Sequence, residues 1–320
     1  MQKRFARYAG SVLVYNLGVV LWGAFVRATG SGAGCGNHWP LCNGVVVPQT
    51  PALTTLIEFT HRAMSGVDVV LIAGLVMWAF RAFPRRHLAR FGASLSALFL
   101  ITEALIGAAL VKLEHVAQNA SVGRAYSLSA HLINTLALLA CLALTVWWGA
   151  NQGRLRFRGR AAWLALPGIV LFALTGISGA IAALGDTLFP ASSLAAGFHQ
   201  DFDSAANIFL RLRLWHPLLA AIAASWLVFY AVRSHVKQSK PFARSVLALV
   251  GLQVTAGALN LLLLAPIWMQ MLHLLTADLL WIALVLLTAS SLQESPASAD
   301  IVIDEMVADT GRGLQRAGSK

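Results

Sequence analysis

Residues 59–80 read FTHRAMSGVDVVLIAGLVMWAF, an apolar run with a histidine, His61, near its beginning. About 20 consecutive apolar residues form a helix long enough to cross the ~30 Å hydrocarbon core of a bilayer. Seven further stretches have this character, at 10–28, 92–112, 127–149, 162–184, 214–232, 243–265 and 268–291. The sequence therefore predicts an all-α integral membrane protein with eight transmembrane helices.

The composition is that of a membrane protein and excludes an ordinary soluble one. Hydrophobic residues make up 58% of the 320 residues, charged residues only 12%, and the mean hydropathy is +0.70. The first apolar run has no small-residue cleavage site, so we interpret it as helix 1 rather than as a cleavable signal. The polar segment 293–320 lacks apolar periodicity and is predicted to be a mobile cytoplasmic tail.

Lysine and arginine are concentrated on one side of the predicted helices. The N-terminus and the loops after helices 2, 4 and 6 together hold 15 of the 24 basic residues. Cytoplasmic loops carry this excess in membrane proteins, so both termini are predicted to be cytoplasmic. The same asymmetry accounts for most of the net charge of +11, and no nucleic-acid partner is expected.

The two halves of the chain show a weak internal repeat. Helix 3 contains Glu103 four residues before Gly107, and helix 7 contains Gln253 four residues before Gly257. The even-numbered helices 2, 4, 6 and 8 are each predicted to open with a histidine: His61, His131, His216 and His273. We therefore predict two pseudo-symmetric four-helix bundles, 1–150 and 151–292, related by an axis along the membrane normal.

These four histidines are candidate metal ligands, all placed toward the outer side of the membrane. Two imidazoles that face each other across a bundle can bind a haem iron from both sides, because the second and fourth helices of each half run in the same direction. The alternative is four solvated histidines at the lipid headgroups. Zinc is disfavoured because no Cys or carboxylate set completes a tetrahedral site beside either pair. The other histidines lie in predicted loops and are interpreted as solvated: His38, His87, His115, His199 and His235.

The first outer loop, within residues 23–44, is rich in glycine and aromatic residues. Arg27, at the exit of helix 1, is expected to contact an anionic group such as a haem propionate; an arginine that anchors the helix at the interface is the alternative. Cys35 and Cys42 lie on the oxidising side, so we expect a disulfide between them. A structural role for this bond is favoured over a redox-active one.

Glu58 precedes His61 by three residues and therefore lies on the same helical face. A carboxylate beside a haem ligand can act as a base or stabilise a developing positive charge. The alternatives are a partner that orients His61 and a salt bridge to Arg62. Other polar or small residues within helices are interpreted as interior residues of the bundles: Asp68, Glu103, Asp278 and Cys141.

Three motifs together resemble the haem A synthase family, membrane enzymes that convert haem O to haem A for terminal oxidases. They are the R-x-T-G-S-G stretch and the W-P-L-C-N-G turn of GAFVRATGSGAGCGNHWPLCNG, and the E-x-x-H-R of IEFTHR. The resemblance extends over essentially the whole membrane region. It implies an enzyme of the bacterial inner membrane that oxidises the C8 methyl group of haem O to a formyl group through hydroxylated intermediates.

The resemblance also implies roles for individual residues. The N-terminal half would bind the iron of substrate haem O through His61 and His131. The C-terminal half would hold a haem b cofactor through His216 and His273. Glu58 matches the essential carboxylate of the family. Since a bis-histidine iron has no open position for oxygen, we favour electron removal and attack of water on a carbocation over direct oxygen insertion.

The cysteines match the family only in part. Cys35 and Cys42 correspond to its first-loop disulfide, but the second cysteine pair that some members carry in the third outer loop is absent from residues 185–213. The expected partners are haem O synthase, an electron acceptor and a second copy of the chain.

Three other functions explain part of the pattern. A quinol-linked dihaem electron-transfer protein accounts for four histidines but not for Glu58 or the glycine-rich loop. A thiol-oxidising membrane protein would need a second cysteine pair. A transporter built on a repeat would need paired Gly/Pro interruptions that the predicted helices lack.

Overall fold

The computed structural model describes residues 1–150, 160–234 and 236–293. The predicted boundary between the halves, at 150/151, lies at the edge of these ranges. His235 and residues 294–320 of the predicted tail lie outside them. The described residues form ten α-helices and no β-strand. Their bounds are α1 Gln2–Ala28, α2 Leu53–Ala82, α3 Leu88–Lys112, α4 Val122–Ala150, α5 Arg160–Leu188, α6 Leu194–Phe202, α7 Ile208–Arg213, α8 Trp215–Arg233, α9 Lys240–Leu262 and α10 Ile267–Ser291.

Within these ranges, eight spans are long and apolar enough to cross a membrane, which confirms the predicted number. Helices α7 and α8 together form one of them, Ile208–Arg233. They are separated only at Leu214, three residues before Pro217. Proline has no backbone N–H, and its ring clashes with the carbonyl four residues earlier, so the helical hydrogen-bond ladder is interrupted at this point.

The prediction that each histidine opens its helix was wrong for three of the four. Helices α2 and α4 begin earlier than predicted, so His61 and His131 lie in the third turn, and His273 lies in the second turn of α10. His216 is the second residue of α8. The first turns of these helices contain polar residues such as Thr55. A prediction based on uninterrupted apolar residues therefore places the start of the helix too late. These three histidines therefore lie within their helices, two or three turns from the start.

The helices pack as two four-membered rings. In the first, α1 contacts α2, α2 contacts α3, α3 contacts α4, and α4 returns to α1. Helices α5, α8, α9 and α10 repeat this cycle. The rings meet through α1, α4, α5 and α10, so that α4 and α10 are central and half of the residues in their most apolar segments are buried. This arrangement agrees with the predicted pseudo-symmetric four-helix bundles.

The centre of the molecule is apolar and belongs to both rings. Leu136 and Leu139 of α4 pack in one cluster with Leu284 and Leu287 of α10. The indole N–H of Trp281 donates to the Leu136 carbonyl at 2.7 Å, which satisfies the polar edge of this buried ring. The two rings thus share a core and hold their histidines at the same end.

Candidate functional site

Each of the four histidine rings packs against a glycine of the preceding membrane span. A Cβ built on that glycine would lie 2.9 Å from His61, 3.9 Å from His131, 2.9 Å from His216 and 3.0 Å from His273; the glycines are Gly23, Gly107, Gly179 and Gly257, respectively. At three of the four positions any side chain would displace the imidazole or the helix. At these three positions glycine therefore makes room for the ring between two closely packed helices.

The second histidine pair has the separation that two axial ligands need. The ring centroids of His216 and His273 are 6.5 Å apart, and the ring planes are nearly perpendicular at 88°. A ligating nitrogen lies about 2 Å from a metal ion, so two imidazoles on opposite sides of one ion have ring centres roughly 6–7 Å apart. The two rings are thus placed to hold a single ion between them.

Hydrogen bonds fix the rings of the second pair. Ser178 Oγ lies 3.0 Å from Nδ1 of His216, and Gln253 Nε2 lies 3.3 Å from Nε2 of His273. Nδ1 of His273 is buried and has no hydrogen-bond partner among the described residues. Leaving a buried nitrogen without a partner costs about 1–3 kcal/mol. An unpaired nitrogen of this kind is expected where a ligand binds.

The first pair has an acidic neighbour. Nδ1 of His131 lies 3.0 Å from Oε1 of Glu103, a contact of ion-pair distance that is not an aligned hydrogen bond. Nδ1 of His61 is buried and has no hydrogen-bond partner in the described part of the chain. One imidazole is therefore anchored through a carboxylate, and the other is held by packing against Gly23.

The residues of both pairs fit haem better than zinc. Within residues 1–150, 160–234 and 236–293, no group of three or more His, Cys, Asp or Glu side chains is arranged to hold a metal ion. A structural or catalytic zinc ion needs at least three protein ligands. Haem iron takes four ligands from the macrocycle, so a pair of histidines would complete its coordination.

Glu58 is buried and bound by two partners. Its side chain is 5% exposed; Oε1 accepts from Arg62 Nη2 at 2.5 Å, and Oε2 accepts from the Cys35 backbone N–H at 2.8 Å. No hydrogen bond between Glu58 and His61 occurs within the described residues. The geometry therefore favours the salt bridge to Arg62 among the structural alternatives for this carboxylate.

Arg62 clamps the first outer loop to α2. Its Nη1 donates to the carbonyls of His38 at 2.6 Å and Leu41 at 2.7 Å. Between these contacts and the Glu58 bond, Cys35 and Cys42 form the expected disulfide, and both cysteines are buried. The loop is thus fixed over the end of the helix that carries His61.

The close approach of the loop to α2 explains one of its glycines, Gly34. A Cβ at this position would collide with the Thr54 carbonyl in the first turn of α2. Thr55 Oγ1 donates to the Gly34 carbonyl at 2.7 Å. The loop backbone therefore crosses the start of α2 at a distance that only glycine permits.

Comparison with known proteins identifies the family. The family model described as cytochrome oxidase assembly protein (COX15-CtaA) matches residues 6–285, which is most of the chain. The chain belongs to this family. With eight candidate spans among its described residues, this member of the cytochrome oxidase assembly family is a multi-pass membrane protein.

Individual relatives in the family differ in length and in name. A protein of Thermus thermophilus named protoheme IX farnesyltransferase is 46% identical over 305 residues, which are 93% of this chain and 50% of the relative. A heme A synthase of Macrococcus caseolyticus is 30% identical over 276 residues, 84% of this chain and 90% of the relative. A heme A synthase of an Exiguobacterium species is 38% identical over 111 residues, 35% of this chain and 37% of the relative. The chain spans half the length of the Thermus relative.

Arg27 lies at the seam between the two rings of this family member. Its guanidinium donates to the Ala183 carbonyl at 2.9 Å and to Thr187 Oγ1 at 3.0 Å, both on α5. It also donates to Gln270 Oε1 of α10 at 3.0 Å. These three bonds go to groups of the protein, and the predicted contact with a haem propionate stays a prediction.

The interior carboxylates have different surroundings. Asp68 accepts from Asn16 Nδ2 at 2.5 Å, and Glu103 accepts from Asn134 Nδ2 at 2.6 Å, which agrees with the interpretation as interior hydrogen-bonding residues. Asp278 does not follow it, because its buried Oδ2 has no hydrogen-bond partner among the residues the structure describes. Cys141 is a buried free thiol within α4, as expected.

An arginine cluster takes the place of a second disulfide in the third outer loop. Arg213 Nη1 lies 2.9 Å from Asp186 Oδ1, and Nε lies 2.5 Å from Asp201 Oδ1. Its Nη2 donates to the Gly197 carbonyl at 3.2 Å. The side chain therefore joins α5, α6 and α7, and the loop is tied down without cysteines.

Two kinds of feature were not found from the sequence: the glycines Gly23 and Gly179, and the contacts of Ser178 and Arg213. Gly23 and Gly179 precede His61 and His216 by 38 and 37 residues, and this near-equal spacing is a signal of the repeat that could have revealed them. Ser178 beside His216 and Arg213 beside its two aspartates depend on the packing of separate helices. No local pattern indicates such contacts.

Proposed function

We propose that this chain is a haem A synthase that oxidises the C8 methyl group of haem O to a formyl group through hydroxylated intermediates. One observation carries the proposal: both histidine pairs are backed by glycines, but their surroundings differ. Only the first pair has a helix whose buried carboxylate, Glu58, is bound to a disulfide-closed loop within the described part of the chain.

On the basis of this difference we assign the substrate to the first half of the chain and the cofactor to the second. In this proposal His61 and His131 bind the iron of haem O, and His216 and His273 bind the iron of a resident haem b. When bound, haem b supplies one-electron redox chemistry that no amino-acid side chain provides. The 6.5 Å separation of the second pair supports it as the pair that would hold the permanently bound haem.

Glu58 is the proposed catalytic carboxylate. Two donors hold it in place, so its orientation is set before the substrate binds. Each oxidation of the methyl group removes two electrons, which pass to the electron acceptor, and one proton. A fixed carboxylate stabilises the positive charge left on the methyl carbon of haem O and accepts a proton from the attacking water. Water as the oxygen source is favoured because two histidines leave no open position on the substrate iron.

The proposed orientation follows from the basic loops. Both termini lie in the cytoplasm, and both histidine pairs and the Cys35–Cys42 bond lie toward the outer side of a bacterial inner membrane. Haem O, which carries a long isoprenoid tail, enters laterally from the bilayer. Haem O synthase, an electron acceptor and a second copy of the chain are the proposed partners.

A second candidate function is transfer of a farnesyl group to protohaem IX, after the name of the Thermus relative. Its support is the 46% identity. However, the chain spans only half of that protein, so farnesyl transfer can belong to the half that is not matched. The heme A synthase of Macrococcus caseolyticus is matched over 90% of its length, which favours haem A synthesis.

Extraction and mass analysis of the haems bound to the purified protein separate these functions. The protein is produced with and without coexpressed haem O synthase. A haem A synthase yields haem b alone without the synthase, and adds hydroxylated haem O or haem A with it. Haem O in the absence of the synthase would instead support farnesyl transfer, and haem b alone under both conditions would contradict haem A synthesis.

A further inference from the structure

Glu103 and Gln253 occupy equivalent positions in the two halves but differ in charge. Each lies four residues before the glycine that backs the histidine of the next span, Gly107 in α3 and Gly257 in α9. Each side chain also contacts that histidine: Glu103 contacts His131, and Gln253 contacts His273. The repeat thus places a carboxylate beside one histidine and a neutral amide beside the other.

Three residues of α4 surround the Glu103 carboxylate. Oε1 lies 3.0 Å from His131 Nδ1 and also accepts the hydroxyl of Thr135. Oε2 accepts from Asn134 Nδ2 at 2.6 Å. Asn134 in turn accepts from Thr102 at 2.6 Å, so the carboxylate belongs to a polar network between α3 and α4. This network fixes the carboxylate against the histidine and leaves Nε2 of the ring for a ligand.

The second half places a neutral amide beside its histidine, but against Nε2 of His273 rather than against the Nδ1 that Glu103 faces in His131. Gln253 Oε1 accepts the hydroxyl of Thr276, which follows His273 by three residues as Thr135 follows His131 by four. Gln253 Nε2 is the atom that faces the His273 ring, at 3.3 Å. An amide nitrogen carries no negative charge and donates hydrogen bonds only. His273 therefore has no anionic acceptor at this position.

We propose that Glu103 is a positioning residue whose carboxylate, 3.0 Å from Nδ1 of His131, makes this histidine a more electron-rich iron ligand than His273. A carboxylate behind a metal-bound imidazole raises the basicity of the ligand. A more basic axial ligand stabilises the oxidised iron and so lowers the reduction potential of the haem. The inference rests on the proposed function, in which His131 binds haem O, and it deepens that function: the haem to be oxidised is the one that gives up electrons more readily.

The test exchanges the two side chains in the full-length protein: Glu103→Gln in the first half and Gln253→Glu in the second. Midpoint potentials are measured by spectroelectrochemical titration. Coexpressed haem O synthase supplies haem O. Comparison with protein made without the synthase separates the signal of haem O from that of haem b. Glu103→Gln is expected to raise the potential of the first-half haem, and Gln253→Glu to lower that of the second. Each shift should reach about tenfold in the oxidation equilibrium, about 59 mV for one electron.

Two further measurements keep the inference falsifiable. Glu103→Asp retains the charge and is expected to restore much of the wild-type potential, which a purely structural role would not require. If Glu103→Gln fails to bind haem O, Gln253→Glu still decides, because it acts on the resident haem. Unchanged potentials in the haem-loaded exchange variants would overturn the inference even where haem A is formed. Shifted potentials without haem A formation in the wild-type protein would support it and contradict the proposed synthase activity.

Discussion

A Cβ on Gly257 of α9 would lie 3.0 Å from Cε1 of His273, so the glycine and the imidazole occupy adjoining space between two packed helices. Gly257→Ala is therefore expected to displace the ring and weaken retention of the resident haem about tenfold, since overpacking costs about 1–3 kcal/mol. The haem content of the purified variant measures the effect.

The same helix offers a matched control. Gly251 has no atom within 4 Å of its ideal Cβ, so Gly251→Ala should leave haem content unchanged. In the first half, Gly23→Ala beside His61 and Gly18→Ala in open space form an equivalent pair for haem O binding. Equal haem loss in both members of a pair would show that the glycines do not act through the histidines.

Glu58→Gln is expected to abolish haem A formation and to leave the haem b of the C-terminal pair in place. The amide keeps the shape of the side chain and an oxygen for Arg62 or the Cys35 N–H, but it loses the negative charge. Glu58→Ala would have the same effect on activity, but it would also remove the carboxylate that pairs with Arg62. Haem extraction measures the product, and normal haem A formation in the Gln variant would exclude a catalytic charge.

Cys35 and Cys42 are expected to resist thiol reagents until the protein is reduced, because they are joined and buried. Replacing both with serine should lower the free energy of unfolding by about 2–3 kcal/mol, the loop-closure value for a ring of this size. Mass spectrometry after alkylation measures the labelling, and thermal unfolding measures the stability. Immediate labelling of both cysteines in the native protein would contradict the bond.

Some features could be predicted from the sequence because they depend on composition along one helix. The apolar lengths predicted the eight spans, and the histidine of each even-numbered span pointed to two pairs of ligands. The helix starts were missed because polar residues such as Thr55 extend α2 beyond its apolar segment. The sequence left the partner of Glu58 open between His61 and Arg62, since both lie within about one turn. Only the folded arrangement shows the ion pair with Arg62.

Contacts between separate helices were beyond sequence reasoning. The hydrogen bonds of Arg27 reach Ala183 and Gln270, more than 150 residues away along the chain, and its contact with a propionate stays a prediction. The Arg213 cluster holds a loop that has no cysteines, so a search for a second disulfide could not reveal it. Such contacts depend on how the two rings pack, which no single motif specifies.

The most direct measurement is the identity of the haem lost when one histidine of each pair is removed, in protein coexpressed with haem O synthase. His61→Ala should retain haem b and lose haem O and its oxidised products. His273→Ala should lose the low-spin spectrum of haem b. Loss of haem b from His61→Ala, with haem O or haem A retained, would contradict the assignment of substrate to the first half and cofactor to the second.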